Sequence, residues 1–374
     1  MPDDAPALTT PVLVDRENLR SSVDARLRAV LAAESAVLEE ISQDAAPLMD
    51  AWTAMLSGGK RLRAAFCYWS WRAHGGSPTA PDLSHVLGVG AALELFQAAA
   101  LFHDDVMDNS DTRRGKPTAH RVFAQRHRES GWTGDSVQFG LSSAILLGDL
   151  SLIASESELL AATSGLPRDV RRSARATFTR MRSEVTIGQY LDMHAQMLPW
   201  DQEFAADERR ALEVIRSKSA RYSVEAPMVL GATLAGRGAH DLAVASEVGL
   251  PLGAAFQLRD DLLGVFGDPG VTGKPAGDDL REGKRTLLLV HTMREVDAST
   301  RRHLAAALGR ADLTDDDVSA LQATIIASGA VDAIEERIDR LTDEAFEALG
   351  RAHLEPDAEP VLRELALAAV ARAA

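Results

Sequence analysis

The chain has 374 residues, of which 46% are hydrophobic and 25% are charged, so it is long enough to bury a sizeable core and is not wholly disordered. It carries 40 Lys and Arg against 55 Asp and Glu, and its net charge of −15 excludes a general affinity for nucleic acid, whose phosphates would repel it. Its one cysteine, Cys67, excludes an intrachain disulfide and suits a reducing compartment.

Residues 1–15 are expected to form a flexible tail and residues 16–374 a single domain, because no linker rich in proline and serine divides them. The first residues show no basic segment followed by an apolar one, so we expect a cytoplasmic protein. The most apolar stretches are interrupted by polar residues such as Asp149 and Glu225, and no membrane span is expected.

Apolar residues recur at three- and four-residue spacing along most of the chain, and aromatic residues make up only 5% of it. No alternating pattern typical of strands stands out, so the predicted fold class is all-α, a helical bundle around a central cavity. Helices are predicted over Leu19–Ile41, 86–108, 170–198, 207–235, 241–266, 285–308, 315–328, 331–348 and 358–373.

The first candidate binding segment is Gly58-Gly59-Lys60-Arg61-Leu62-Arg63, which leads into a helix. The free N–H groups and positive dipole end of a helix N-terminus favour an anion. Lys60 and Arg63 lie one turn apart at that end, although any single arginine is more often an ordinary surface charge.

An acidic cluster ends the predicted helix 86–108, in the segment His103-Asp104-Asp105-Val106-Met107-Asp108. Asp104 and Asp108 are four residues apart and share a helix face, where like charges near a C-terminus cost stability. A solvated helix end is the ordinary explanation. The alternative is a Mg²⁺ site, since Mg²⁺ prefers oxygen ligands and bridges to phosphates. We interpret His103 as a packed or hydrogen-bonded residue rather than a catalytic base.

A second acidic cluster, Asp260-Asp261, also lies near the end of an apolar helix, and two such clusters facing each other would hold several Mg²⁺ ions. Basic residues follow both clusters, and in an acidic protein this concentration indicates a polyanionic substrate. Metal sites on one side and guanidinium groups on another would suit two diphosphates bound at once. The basic residues are Arg113, Arg114 and Lys116 after the first cluster, and Lys274 and Lys284 after the second.

In their order along the chain, these motifs resemble those of the trans-type, head-to-tail polyprenyl diphosphate synthases. The resemblance covers roughly residues 20 to 350 and is specific as a set, whereas one DDxxD motif would be weak. The matching pieces are GGKRLR (58–63), Glu94 and Gln97, HDDVMD (103–108), DTRRGKPT (111–118), Gly148-Asp149, Gly188-Gln189 with Asp192, Lys218-Ser219, FQLRDD (256–261), GKPAGDD (273–279) and GKRT (283–286).

The resemblance implies an all-α isoprenoid synthase fold, a homodimer and a Mg²⁺-dependent condensation of isopentenyl diphosphate with an allylic diphosphate. Asp104, Asp108 and Asp260 would be metal ligands, and Asp261 would bind metal-held water. The isopentenyl diphosphate site would consist of Lys60, Arg63, Gln97 and Arg114. The allylic diphosphate would bind Arg113, Lys218, Lys274 and Lys284, with Ser219 and Gln257 beside the allylic carbon. The catalytic set would be Asp104, Asp108, Arg113, Lys218, Gln257, Asp260 and Lys274.

One position departs from the family pattern, because Gly264 stands where the second DDxxD motif has its last aspartate. Asp268 lies four residues further on and cannot be assumed to replace it. If the missing carboxylate binds only second-shell water, activity survives, and we favour this outcome. If it is essential, the chain is a non-catalytic subunit of a heteromeric synthase.

Product length follows from the helix that carries Asp104. A helical turn rises ~5.4 Å, and one isoprene unit extends about as far. In the family, bulky residues four and five positions before the first aspartate stop growth at fifteen carbons. Here Ala100 and Ala99 leave room, and Phe96 one turn deeper would form the floor. This predicts geranylgeranyl diphosphate as the product, with farnesyl diphosphate or a longer product as the alternatives. The cavity floor could alternatively come from another helix.

Two other enzyme classes compete with this interpretation. A class I terpene cyclase would normally add an Asn/Asp-Ser/Thr-Glu metal motif, which is not found, and has less need of the segments GGKRLR and RRGKPT. A metal phosphohydrolase would need further histidine ligands, and none is evident beside His103-Asp104.

Overall fold

The structure, a computed structural model, describes residues 15–200, 203–268, 276–310 and 312–371. The regular secondary structure of the described residues is helical apart from one short hairpin, which confirms the all-α fold class. Most of the predicted N-terminal tail lies outside the described residues. The described chain divides into two compact units, and the predicted single domain over residues 16–374 stays a prediction.

Unit 1 contains described residues 15–175, 230–237 and 354–365. Its helices are α1 (Leu19–Ile41), α2 (Ala46–Leu56), α3 (Leu62–Ala73), α4 (Leu83–Met107), α5 (Ala119–Glu129) and α6 (Ser136–Thr163). Between α4 and α5, the two-residue strands β1 (Thr112–Arg113) and β2 (Lys116–Pro117) form an antiparallel hairpin. The sequence pattern did not predict this hairpin, since two residues are too few to show alternation.

The core of unit 1 is built around α4, which packs against α1, α3 and α6. Hydrogen bonds join these apolar faces: Trp52 Nε1 donates to Ser151 Oγ over 3.1 Å, and Ser151 Oγ donates to the Leu95 carbonyl over 2.9 Å. At Gly88 a Cβ would lie closer than 3.0 Å to Ala162, so this glycine permits the close approach of α4 and α6. These contacts fix the helix that carries the first acidic cluster.

Unit 2 contains described residues 176–229, 238–353 and 366–371. Its elements are α8 (Phe204–Val214), a π-helical segment (Ile215–Glu225), α10 (Ala239–Phe266), α11 (Asp278–Glu282), α12 (Leu287–Glu295), α13 (Ala298–Ala307), α14 (Asp315–Ala327) and α15 (Ala330–Arg351). Three further helices have residues in both units: α7 (Arg168–Met197), α9 (Ala226–Leu234) and α16 (Glu359–Val370).

Two glycines of α10 bring the π-helical segment close to that helix. A Cβ on Gly253 would overlap the Ala220 backbone, and one on Gly249 would overlap the Glu225 backbone. Each is closer than the 3.0 Å that real Cβ atoms need. The acidic helix α10 and the segment that carries Lys218 are therefore in direct backbone contact.

Each predicted helix has a counterpart with boundaries that differ by a few residues, but the predicted helix 207–235 is divided into α8, the π-helical segment and α9. The predicted helix 285–308 is two helices, because Asp297 starts a new one by accepting hydrogen bonds from the N–H groups of Ser299 and Thr300. The periodicity did not predict α2, α5 or α6 as helices.

α4 and α6 have the length and apolar composition of a membrane span, with mean hydropathies of 1.5 and 1.6. Within α4 72% of the apolar window is buried, which is typical of a core helix.

Candidate active site

The first acidic cluster lies at the C-terminal end of α4. Asp104 and Asp108 are half-buried, and the Asp108 N–H donates to the Asp104 carbonyl over 2.8 Å. Asp105 points into the protein and is 1% exposed. Asp104 and Asp108, whose spacing predicted a shared helix face, are therefore less buried than Asp105 between them.

The hairpin that follows α4 returns Arg113 to this cluster. Arg113 Nε donates to Asp105 Oδ1 over 2.6 Å, and its terminal nitrogen donates to Asp104 Oδ2 over 3.1 Å. Burial lowers the pKa of Arg113, but the charges of Asp105 and Asp104 outweigh it, and the net pKa is raised. Arg113 thus fixes the carboxylates of Asp104 and Asp105 at the end of α4.

A group of arginines surrounds the glycine-rich segment. Gly58 and Gly59 have φ of +86° and +88°, a conformation that favours glycine. Arg61 is 5% exposed and donates to Asp24 over 2.8 Å, to Glu94 over 3.4 Å and to the Leu56 carbonyl. The inward turn of Arg61 leaves Lys60 exposed and Arg63 half-buried at the start of α3.

Arg114 lies over the glycine turn, where its guanidinium is 3.2 Å from the position of a Cβ on Gly59. Burial lowers the pKa of Arg114, and the nearby charges of Arg61, Arg113 and Arg63 lower it further against the opposing effect of Glu94. The guanidinium groups of Arg61, Arg113 and Arg63 are therefore close enough to Arg114 to repel its charge. A bound polyanion would relieve this repulsion, so unit 1 contains a candidate diphosphate site.

Gln97 and the candidate chain-length residues line α4 before the acidic cluster. Gln97 is half-buried one turn after Glu94, and Ala100 is half-buried one turn before Asp104. Ala99 is 2% exposed and Phe96 is 4% exposed. The side chain of Phe96 is therefore in the interior of unit 1, and its role as a floor stays a prediction.

His103 packs against α6, in agreement with its interpretation as a packed residue. Its Nε2 lies 3.1 Å from the Ile145 carbonyl and 3.5 Å from Asp149 Oδ1. A Cβ on Gly148 would overlap the His103 ring, so a glycine is needed at that position. This contact gives a structural reason for the pair Gly148-Asp149 in the sequence.

In unit 2, α10 presents the second acidic cluster. Asp260 is exposed, whereas Asp261 is 6% exposed and accepts a hydrogen bond of 2.7 Å from Gln257 Nε2. Burial and the charge of Asp279 raise the pKa of Asp261 to about 8, against the Gln257 hydrogen bond and with smaller contributions from Asp260 and Asp192. Three further carboxylates therefore lie close enough to Asp261 to act on its charge.

Lys218 and Lys284 are placed beside these carboxylates by the surrounding elements. Lys218 Nζ donates to Asp192 Oδ2 of α7 over 2.6 Å, and Ser219 follows it in the π-helical segment. Lys284 Nζ lies 3.6 Å from Asp279 Oδ1 and 2.6 Å from Glu282 Oε2. The predicted ligand Lys274 lies outside the described residues.

The family model for polyprenyl synthetase matches residues 46–325, which is most of the chain. The chain belongs to the polyprenyl synthetase family.

Curated relatives of this polyprenyl synthetase are named for prenyl diphosphate products. A geranylgeranyl diphosphate synthase of Mycobacterium tuberculosis is 33% identical over 308 residues, which are 82% of this chain and 79% of that protein. A geranylfarnesyl diphosphate synthase of Aeropyrum pernix is 32% identical over 79% of this chain and 84% of that protein.

The fold has a solved counterpart in the geranylgeranyl pyrophosphate synthase of Corynebacterium glutamicum, whose crystal structure contains isoprenyl diphosphate and magnesium. The two proteins are 35% identical, the TM-score is 0.87, and the match covers 93% of this chain and 97% of that one. The expected isoprenoid synthase fold is thereby confirmed.

The donor set of this polyprenyl synthetase fits Mg²⁺. In the described ranges no three His, Cys, Asp or Glu side chains form a ready-made cage. A cage is not required, because Mg²⁺ usually keeps several waters and binds one or two carboxylates together with substrate phosphates. Burial raises the pKa of Asp261, the charges of Asp279, Asp260 and Asp192 raise it further, and a bound cation would offset their repulsion. Asp104 and Asp108 in unit 1, and Asp260 with Asp261 in unit 2, would hold the ions.

Sequence reasoning gave no role to three residues that the structure brings into the site. Asp105 and Asp192 each bind a basic side chain that was predicted to be functional, and Asp279 lies beside Gly264. Asp192 and Asp279 were visible only as members of longer motifs. Asp192 pairs with Lys218, 26 residues further along the chain, and Asp279 lies beside Gly264, 15 residues before it. The spacing within each motif therefore could not predict these contacts.

Proposed function

We propose that this polyprenyl synthetase condenses isopentenyl diphosphate with an allylic diphosphate and that its main product is the twenty-carbon geranylgeranyl diphosphate. The chain is a short-chain trans-prenyltransferase by its family and its relatives. The observation that carries the proposal is the pairing of each acidic cluster with cationic side chains in its own unit. Arg113 lies on Asp104, and Lys218 and Lys284 lie among the carboxylates around Asp261.

The first step breaks the allylic C–O bond, and the electron pair leaves with diphosphate. We assign Lys218, Lys284, Lys274 and Arg113 to the leaving diphosphate, because ammonium and guanidinium groups stabilise negative charge as it develops. Magnesium held by the acidic clusters would add Lewis-acid neutralisation of the same group. In unit 2, Asp192 fixes the ammonium of Lys218 before substrate arrives.

The second step forms the carbon–carbon bond. We assign Lys60, Arg63, Gln97 and Arg114 to the diphosphate of isopentenyl diphosphate, since the positive charge gathered around the Gly58-Gly59 turn would be neutralised by an anion. The double bond of this substrate attacks the allylic cation, and the released diphosphate accepts the proton that the new cation loses. Ser219 and Gln257 supply polar oxygens beside the cation, and no side-chain nucleophile is needed.

Product length is assigned from α4. The small residues Ala99 and Ala100 leave space next to the first cluster, and Phe96 one turn deeper is bulky and buried. One turn rises ~5.4 Å, about the length of one isoprene unit. Four relatives are named geranylgeranyl diphosphate synthases, while another is named for the longer geranylfarnesyl product.

The test of this proposal incubates the purified chain with isopentenyl diphosphate, Mg²⁺ and a five-, ten- or fifteen-carbon allylic diphosphate. We expect geranylgeranyl diphosphate from each primer, identified by mass. Hydrocarbon formed from the allylic diphosphate alone would indicate a cyclase. No product from the pure chain would contradict catalysis by this chain alone and favour a subunit of a heteromeric synthase.

We also propose that the protein is a cytoplasmic homodimer formed through α6. Leu146, Ile153 and Leu160 are 56%, 61% and 37% exposed and recur every seven residues, so they form one apolar stripe on this helix. Exposed apolar stripes of this kind are typical of association surfaces. A second copy of the chain is the simplest occupant, because a two-fold axis would place the stripe against itself.

A further inference from the structure

Positive charge is concentrated in one segment of unit 1, although the chain as a whole is acidic. Residues 112–128 contain six Lys and Arg and no Asp or Glu, while the net charge of the chain is −15. The first two of these basic residues belong to the candidate active site. Arg126 and Arg128, near the end of α5, do not, and both are exposed. The charge of these two arginines is therefore available at the surface of unit 1.

An exposed tryptophan lies in the loop that follows the two arginines. Trp132 is 48% exposed. Its ring packs edge-on against Phe139 of α6 and His127 of α5, with ring centroids 5.4 and 5.9 Å apart. These contacts hold one side of the indole ring in place and leave the other side open to solvent. Amphipathic rings in such a position are typical of membrane–water interfaces.

The arginines and the tryptophan belong to one surface. Arg128 reaches across the loop and donates a hydrogen bond of 3.5 Å to Ser136 Oγ, at the start of α6. The next residue, Val137, is 48% exposed. Val122 is 45% exposed and lies one turn before Arg126 on the same face of α5. We call this surface the loop patch, and it consists of Val122, Arg126, Arg128, Trp132 and Val137.

The acidic residues next to the loop patch are engaged elsewhere. Glu129 Oε1 accepts a hydrogen bond of 2.7 Å from Gln125 Nε2. Asp135 Oδ1 accepts hydrogen bonds from the N–H groups of Val137 and Gln138, so it caps α6. Neither carboxylate is therefore paired with an arginine of the patch, and the patch combines exposed apolar groups with positive charge.

We propose that the loop patch docks this protein on an anionic membrane surface. The guanidinium groups of Arg126 and Arg128 bind lipid phosphates, and Trp132 enters the interfacial layer. Charge complementarity favours this occupant, because the basic residues are gathered in one place on an acidic chain. A second copy of the chain, related by a two-fold axis through the patch, would place these arginines against each other. The attachment is peripheral and leaves the chain outside the bilayer.

Co-sedimentation of the full chain with lipid vesicles tests this docking. The vesicles contain equal parts of phosphatidylglycerol and phosphatidylcholine, or phosphatidylcholine alone. We expect binding to the anionic vesicles that high salt removes, and no binding to the neutral ones. Arg126→Gln combined with Arg128→Gln should weaken the binding by about 25-fold, because each basic residue near an anionic surface contributes about five-fold.

The matched control is Arg168→Gln combined with Arg172→Gln. These arginines are also exposed, one helical turn apart in the part of α7 that belongs to unit 1, so the control removes the same charge outside the patch. It should bind anionic vesicles like the unaltered chain. Circular dichroism checks that both double variants are folded.

Tryptophan emission gives a second measurement that does not depend on the arginine variants. Anionic vesicles should shift the emission of the unaltered chain to shorter wavelength, because Trp132 leaves water. Trp132→Phe keeps an aromatic ring against Phe139 and should abolish this shift. A shift of the same size in Trp132→Phe would contradict the proposal.

The remaining outcomes are equally decisive. Absence of binding to anionic vesicles, equal binding to neutral vesicles, or an equal loss in the two arginine pairs would each overturn the proposal. A fall in molecular mass by light scattering in the Arg126 and Arg128 variant would assign the patch to contact between copies instead. No substrate is present in these experiments, so their outcome is independent of the proposed function.

Discussion

At the scale of single residues, the cationic side chains of the candidate site are oriented by carboxylates of the same unit. Asp105 and Asp104 hold Arg113, and Asp192 holds Lys218. Such partners restrict a long, flexible side chain to the geometry that substrate requires, so less conformational entropy is lost on binding. The carboxylates are therefore as much a part of the site as the cations.

Replacing Asp192 tests this orientation. We expect Asp192→Asn to lower kcat/KM for the allylic diphosphate by about ten-fold, or ~1.4 kcal/mol, because Lys218 loses its ionic partner. The loss should fall mainly on kcat with the allylic substrate, and KM for isopentenyl diphosphate should stay the same. Asp207→Asn is the control, since Asp207 is equally buried but pairs with Arg210 over 2.8 Å. A similar loss in both variants would show a general effect on stability.

A partly exposed carboxylate in unit 1, that of Glu17, should make stability depend on acid. Burial raises the pKa of Glu17, but hydrogen bonds from Arg72 and Tyr68 outweigh it, and the net pKa is below the ordinary 4.5. The folded state then binds this proton less readily than the unfolded state. Its contribution to stability is complete above pH 4.5 and is lost as the pH falls below that value.

Urea unfolding from about pH 3 to pH 7 checks this dependence. Glu17→Gln should flatten the fall in the free energy of unfolding at the acidic end. Tyr68→Phe removes one donor, at 2.5 Å, and should give an intermediate dependence. An acid dependence that is the same in all three proteins would assign the effect to other carboxylates.

Phe96 is the residue on which product length is expected to depend. Phe96→Ala should shift the product from twenty carbons to longer chains, because removing the ring opens the interior one turn below Ala100. Leu95→Ala is the control, since Leu95 is 0% exposed on the same helix and its loss should cost stability without lengthening the product. Chromatography of the dephosphorylated products measures the outcome. An unchanged profile in Phe96→Ala would place the floor on another helix.

At the scale of helices, glycines set how closely the functional elements approach. In unit 2, Gly188 of α7 faces the π-helical segment, and a Cβ there would overlap the Lys218 backbone and Ser217 Oγ. Backbone atoms cannot move aside as a flexible side chain can. The position of Lys218 therefore depends on the absence of a side chain in the neighbouring helix.

Gly188→Ala should reduce the free energy of unfolding by about 1–3 kcal/mol through overpacking, and should reduce activity by shifting Lys218. Gly350→Ala, in α15 of the same unit, has no atom within 4 Å of the added Cβ. It should stabilise the protein by about 0.5–1 kcal/mol, because alanine favours helix over glycine. Chemical denaturation of the two variants gives both values. Equal effects of the two changes would exclude close packing as the cause.

At the scale of the whole molecule, the apolar stripe on α6 tests the proposed homodimer. Ile153→Glu places a charge in the stripe and should convert the dimer to monomers, because burying an unpaired charge is unfavourable. Ile326→Glu is the control, since Ile326 is 58% exposed on α14, outside the stripe. Light scattering measures the mass of each protein. Monomers in the unaltered chain, or dimers in Ile153→Glu, would contradict the assignment of this face.

Several parts of the fold and site were predictable because they depend on neighbours in the sequence. Periodic apolar residues predicted α1, α4, α7 and α10, since a helix repeats every 3.6 residues. The same periodicity placed Asp104 and Asp108 on one face. It did not predict α2 or α5, whose 11 residues each give a weaker pattern, nor the division of 285–308 by the Asp297 cap.

The sequence by itself determined the fold class, the family resemblance and the positions of both acidic clusters, because these follow from local spacing and residue type. Only the tertiary structure decided which carboxylate pairs with which basic side chain, as Asp192 does with Lys218. It also decided that the carboxylate of Asp279 lies in the space beside Gly264. Those contacts join residues that are distant in the chain. They arise from the packing of one helix on another, which no local pattern specifies.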